Sequence, residues 1–262
     1  MYSDIMKQMK ERHLREIELV HFHKFLSIKQ LAEELNVSEM TIRRDLTQLT
    51  KSNSVRMVYG GVTIPVNGEE EGINYSLAKE QNKNKNLKEA IVDKALEFLQ
   101  PNDVIFLDSG TTVQLLVEKF PADASYTIIT SSFNTLELVV KLPNSTIICP
   151  GGVFSQKPLV FYDLDSTKMI RKYRANKAFI GATGFELNLG LTCGYLEDAP
   201  LKQAMIESSQ DRILLIDSTK FGKVSTCPFA TIDKFSTVIT DSGIPEDYID
   251  YIKESNIELI IV

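Results

Sequence analysis

The chain has 262 residues, 43% of them hydrophobic and 24% charged, with 29 Lys and Arg against 35 Asp and Glu for a formal net charge of -6. This composition excludes a disordered, collagenous or disulfide-stapled protein and supplies enough apolar material for one large core or two smaller ones. Three cysteines without a Cys-x-x-Cys pair fit reduced thiols, and no apolar run is long enough to cross a membrane, so a cytoplasmic protein with no membrane partner is expected.

The opening MYSDIMKQMKERHLREIE is charged throughout and has no apolar stretch of the export-signal kind. Charge is unevenly spread. Residues 1 to 66 hold ten Lys/Arg and eight Asp/Glu, leaving 19 and 27 for the rest, so the front piece is the less repelled by a polyanion. Within it Leu14, Ile17 and Phe22 predict one helix, Ile28 to Leu35 a second and Glu39 to Leu49 a third. Ser54 to Ile64, SVRMVYGGVTI, alternates β-branched and polar residues about Gly60-Gly61 and predicts a small hairpin. The acidic NGEEEGIN that follows lacks apolar periodicity, which gives a domain at 1–66, a linker at 67–79 and a second domain at 80–262.

The second domain changes rhythm. Short apolar runs at 103–107, 126–130, 145–149, 177–181, 212–217, 237–241 and 257–262 alternate with helical patterns at 112–120, 135–142, 166–173, 201–209 and 247–255. Repeated βα alternation predicts an α/β domain on a mainly parallel sheet, whose ligands bind outside the carboxyl ends of the strands.

Residues 26–45, LSIKQLAEELNVSEMTIRRD, have helix-turn-helix spacing: a short helix, a turn at Asn36-Val37, a cap at Ser38 and a helix from Glu39. At 100° per residue Ile42, Leu46 and Leu49 form an apolar stripe, with Met40 and Arg44 opposite it and Thr41, Arg43, Thr47 and Gln48 flanking. Such a face can read a DNA groove. Arg43 and Arg44 suit guanine edges or phosphates, Ser38 and Thr41 offer hydroxyls, and Met40 can touch a thymine methyl. Arg56 and Tyr59 near the hairpin tip, and Lys51, could add backbone contacts. His13, His21 and His23 match no zinc-ligand spacing, so no metal site is expected.

In the second domain, Val104 to Leu107 runs into Asp108-Ser-Gly-Thr-Thr112 and a helix, an arrangement that cradles anions with unpaired N–H groups and a helix dipole. Gly110 permits close backbone approach, and Thr111 and Thr112 add hydroxyls. Lys202 sits in the first turn of its helix, where a cation needs an acidic partner or a ligand. Lys220 follows a strand end in DSTKFG.

VSEMTIRRDLTQL followed by VRMVYGGV resembles the signature of the DeoR family of bacterial sugar-metabolism regulators. DSGTT (108–112), GATGF (181–185), Glu197 to Lys202 and DSTKFG (217–222) follow the family's effector domain in order. Asn53, Tyr59 and Asn176 depart from the pattern, and PLVFYDLD lacks an expected glycine. The resemblance implies a winged helix-turn-helix and a domain like ribose 5-phosphate isomerase and the CoA-transferases. It further implies operator DNA as partner, a phosphorylated sugar as effector, and a homodimer or homotetramer without cofactor or catalysis. Ser109, Gly110, Thr111 and Thr112 would hold the phosphate, Asp108, Glu197 and Lys220 would meet hydroxyls or the phosphate edge, and Gly181 to Gly184 and Gly151-Gly152 would wall the pocket. A second reading is a sugar-phosphate isomerase or transferase with an appended DNA-binding module, in which Asp108 and Glu197 act as acid and base.

Overall fold

The computed structural model describes residues 2–52, 54–58, 60–64 and 83–262, with side chains from residue 11 onward. The predicted linker at 67–79, Asn53 and Tyr59 lie outside the described residues. Among the described residues no helix is long and apolar enough to cross a membrane.

The amino-terminal domain comprises α1 (Tyr2–His23), β1 (Phe25–Ser27), α2 (Ile28–Glu34), α3 (Glu39–Lys51), β2 (Arg56–Val58) and β3 (Gly61–Thr63). The predicted hairpin is present, and β1, not expected from the sequence, extends it to a three-stranded antiparallel sheet ordered β1-β3-β2. Gly61 is required there: a Cβ on it would lie 2.3 Å from the Leu26 carbonyl oxygen of the adjacent strand. Ser27 caps α2 in a reciprocal pair with Gln30, its Oγ accepting from the Gln30 N–H at 3.1 Å while its own N–H donates to Gln30 Oε1 at 2.9 Å. Asn36 takes the left-handed conformation, φ 52°, that turns the chain from α2 to α3. The core is built from Val20, Leu31, Ile42, Leu46 and Val62.

The helix predicted from Leu14, Ile17 and Phe22 is present as α1, but two of these residues do not form its inner face. Leu14 and Phe22 are 61% and 80% exposed, whereas Glu16 and Val20 face inward. Glu16 and Val20 are one turn apart, so one apolar and one acidic residue share the buried face and mask its period.

The carboxy-terminal domain begins with α4 (Lys85–Leu96) and β4 (Val104–Leu107), then α5 (Thr111–Glu118), β5 (Thr127–Ile129), α6 (Phe133–Val139) and β6 (Thr146–Ile148). A hairpin of β7 (Val153–Ser155) and β8 (Val160–Tyr162) leads to α7 (Leu164–Ile170) and β9 (Ala175–Gly181). Next come β10 (Gly184–Glu186), β11 (Gly190–Cys193), α8 (Asp198–Glu207), β12 (Ser209–Leu215), a 3-10 turn (Ser218–Lys220) and β13 (Cys227–Ala230). The chain closes with β14 (Thr237–Thr240), α9 (Glu246–Glu254) and β15 (Glu258–Ile261).

All seven predicted apolar runs are strands of one sheet, ordered β15-β14-β12-β9-β4-β5-β6 and parallel throughout. Successive residues feed opposite faces. Ile105, Leu107, Phe179 and Ile213 pack on one side with α4 and α5, and Phe106, Ala178, Ile180 and Leu214 on the other with α8 and α9. Burial on both faces makes each strand a continuous apolar run, which explains their legibility. A separate antiparallel sheet, β10-β11-β13, flanks the main one. Cys193 and Cys227 are buried free thiols on it, and Cys149 is a half-buried one.

The chain leaves β4 in one direction, to β5 and β6, and returns to β9 on the other side of β4 before continuing to β12, β14 and β15. The strand order therefore reverses between β4 and β9, and a crevice opens at their carboxyl ends.

Candidate functional site

Two sites emerge, one in each domain. In the first, Ser38 caps α3: its Oγ accepts from the Thr41 N–H at 3.2 Å and lies 2.9 Å from the Thr41 hydroxyl. Ile42, Leu46 and Leu49 are buried as the spacing predicts. Met40, 75% exposed, stands out with Arg43, Arg44, Thr47 and Gln48. Among the described residues the Arg43 side chain has an exposed i,i+4 contact with Glu39, at 3.9 Å, which holds a long side chain weakly. The α3 candidates Met40, Arg43, Arg44, Thr47 and Gln48 are thus all exposed on one helix.

The sequence reading missed Asp45. It lies on the inner stripe three residues after Ile42 and accepts from Arg12 Nε of α1 at 2.5 Å, fixing α3 against α1. An acidic residue on an apolar stripe was the available signal. Arg56 of β2 is half-buried, and its guanidinium donates to the Val224 carbonyl of the other domain.

The second site is a cavity at the switch between β4 and β9. Its floor is the start of α5. Gly110 precedes this helix and no side chain caps it, so the first N–H groups are left for a ligand. Ser109, Gly110, Thr111, Thr112, Gly181, Lys202 and Lys220, all singled out from the sequence, line the cavity together. A Cβ on Gly110 would lie 3.5 Å from Gly181 Cα, an ordinary contact, so what this glycine pair preserves is room in the cavity.

Three further charged residues of the lining escaped the sequence reading. Lys88 of α4 is buried and donates from Nζ to Thr111 Oγ1 at 3.0 Å, which places an ammonium beside the uncapped helix start. It shares the buried stripe of α4 with Ile91, Val92 and Ala95, and a lysine in that register was a visible clue. Asp217 follows β12. Asp198, rather than Glu197, turns into the cavity: it accepts from Ser109 Oγ at 3.3 Å. Glu197 lies in a neighbouring cleft with Tyr162 and Leu164, where Ser155 Oγ donates to it at 3.3 Å. One residue of offset at a helix start rotates a side chain by about 100°.

Asp108 is held by the Gly181 N–H at 2.9 Å and by the Lys202 ammonium, which also donates to the Gly181 carbonyl at 3.0 Å and lies 5.3 Å from the centre of the Phe229 ring. Burial works against the charge on Lys202, yet Asp108 and Asp198 outweigh it and hold its pKa above the usual lysine range. Burial pushes Asp198 up to about 7, with Lys202 opposing and Asp108 adding to the rise. The expected pair of Asp108 and Glu197 is not assembled, and Gly151-Gly152 form a turn outside the cavity, where a Cβ on Gly152 would meet Ser166 Oγ at 2.6 Å.

The Asp198 shift has a sign that can be tested. Its folded pKa exceeds the ordinary 3.8, so between about pH 4 and 7 the folded protein keeps a proton that the unfolded chain releases, and this group's contribution to stability declines as pH rises. Above that window Asp198 is a carboxylate facing the cavity. Inorganic phosphate is therefore expected to lose affinity in the native protein between about pH 6 and 8 relative to Asp198→Asn. Titration calorimetry across that range checks this, and parallel profiles for the two proteins would contradict it.

Residues 12–67 match the family described as the DeoR-like helix-turn-helix domain, and residues 83–242 that described as the DeoR C terminal sensor domain. The HTH-type transcriptional regulator IolR of Bacillus subtilis is 31% identical over 253 residues, spanning 96% of this chain and 98% of its own length. The deoxyribose operon repressor of Escherichia coli is 28% identical over 90% of this chain and 91% of its own. The L-fucose operon activator of Haemophilus influenzae is 29% identical over 90% and 93%. Among solved structures, ribose 5-phosphate isomerase of Methanocaldococcus jannaschii aligns with 53% of this chain and 55% of its own at 18% identity and a TM-score of 0.40.

Proposed function

The chain belongs to the DeoR family of DNA-binding transcription regulators rather than to an enzyme family, and on that premise we propose that it represses a sugar-catabolism operon and is released by a phosphorylated sugar bound in its carboxy-terminal domain. The observation that carries the effector reading is the uncapped start of α5 inside a buried cavity, with the Lys88 ammonium 3.0 Å from the Thr111 hydroxyl. N–H groups with an ammonium beside them suit a phosphate, while Asp198 and Asp217 suit sugar hydroxyls. Repression is the sense that the family resemblance implies.

Control requires the effector to favour one arrangement of the two domains over another, since equal binding to both shifts nothing. The Arg56 bond to the Val224 carbonyl offers a route, because Val224 lies four residues beyond Lys220 of the cavity. A homodimer or homotetramer fits a module that touches few base pairs by itself and reads paired half-sites, and the cytoplasm is where such a protein meets its operator.

The test is operator binding by fluorescence anisotropy across a panel of phosphorylated sugars. One sugar phosphate should release the native protein, and Thr111→Ala with Thr112→Ala should bind the operator with unchanged affinity and no longer respond. A response that survives in the double variant places the effector elsewhere. Tighter operator binding with the sugar phosphate would make it a co-repressor or activator ligand.

A further inference from the structure

The amino-terminal domain holds a cluster of side chains that operator binding does not use. His13 and Glu16 lie one turn apart on α1, and Asp45 comes from the inner face of the recognition helix α3. One donor atom from each, the His13 imidazole nitrogen and an oxygen of each carboxylate, all lie within 4.8 Å of one another. Glu16 is completely buried, and neither of its carboxylate oxygens has a hydrogen-bond partner. His13 Nε2 is likewise without a hydrogen bond, although it lies 3.3 Å from Asp45 Oδ1. Arg12 occupies the other Asp45 oxygen, Oδ2, and leaves Oδ1 turned toward the cluster.

A buried carboxylate without a donor is costly, and a second carboxylate beside it raises the cost. A bound cation would remove both penalties and use the His13 lone pair as well. We propose that His13, Glu16 and Asp45 form a site for a divalent transition-metal cation that clasps α1 to the recognition helix. One imidazole with two carboxylates suits manganese, iron(II) or zinc better than magnesium or calcium, which favour all-oxygen shells. Ligand atoms at about 2.0–2.2 Å from one ion sit closer together than 4.8 Å, so occupation draws the three side chains inward. Histidine spacing along the chain cannot reveal such a site, because two of its three ligands are carboxylates and one comes from another helix.

Manganese chloride is the probe, because the thiols of Cys149, Cys193 and Cys227 bind manganese poorly, with magnesium chloride as the control for ionic strength. In thermal unfolding of the full chain purified through chelator, manganese should raise the transition of the amino-terminal domain by about 5 °C or more, and magnesium should not. Glu16→Leu should melt no lower than the native protein without metal, since it removes an unpartnered buried carboxylate, and should lose the manganese response; His13→Ala should lose that response too. Cobalt(II) should give visible d–d absorption with no thiolate charge-transfer band in the native protein, and none in Glu16→Leu. Absence of a manganese shift in the native protein, with Glu16→Leu more stable, would mean that Glu16 and Asp45 share a proton and hold no metal. A manganese shift that survives in both variants would place the ion elsewhere and equally overturn the proposal.

Discussion

Lys202→Met is expected to destabilise the carboxy-terminal domain by about 3–5 kcal/mol, the range for deleting one partner of a buried ion pair. The ammonium neutralises Asp108, bonds the Gly181 carbonyl and faces Asp198. Methionine fills similar volume but leaves Asp108 and Asp198 buried without a cation between them. Chemical denaturation followed by circular dichroism measures the loss. Adding Asp108→Asn should recover part of it, because the stranded charge goes with the carboxylate. A Lys202→Met protein within about 1 kcal/mol of the native would mean that solvent reaches this pair and that the cavity is far wetter than its burial implies.

Arg44→Ala is expected to weaken operator binding by about 1–3 kcal/mol, roughly fivefold to over a hundredfold. Arg44 stands exposed on α3 opposite the buried Ile42, Leu46 and Leu49, so its removal disturbs no core packing and the loss is one of contact alone. If it reads a base, discrimination at one operator position relaxes. If it grips a phosphate, affinity falls evenly across sequences and the dependence on salt becomes shallower. Anisotropy titrations on operator and scrambled duplexes at several salt concentrations separate the two, and unchanged binding in all of them removes Arg44 from the interface.

Legibility followed burial. Strands covered on both faces, such as Ile105-Phe106-Leu107 and Ile213-Leu214-Leu215, read as unbroken apolar runs, and a helix with a cap and one clean stripe, α3, read equally well. What escaped was polar chemistry placed on inner faces. Glu16 on α1, Lys88 on α4 and Asp45 on α3 each occupy a position that periodicity reserves for apolar residues, and each belongs to a cluster assembled from distant parts of the chain. The sheet β10-β11-β13 escaped because β13 begins 34 residues after β11 ends and no local pattern announces the pairing. Asp198 against Glu197 was decided by where α8 begins, and helix boundaries shift by a residue more easily than any other feature.

The claim on which most depends is that the start of α5 receives a phosphate. Thermal unfolding of the full chain with phosphorylated sugars, the same sugars without phosphate and inorganic phosphate tests it most directly, since a ligand selective for the native state raises its stability by mass action. At least one sugar phosphate should stabilise the native protein, the unphosphorylated sugar should not, and the stabilisation should vanish in the protein carrying both Thr111→Ala and Thr112→Ala. Equal stabilisation of the native protein and the double variant, or by sugars with and without phosphate, would contradict it.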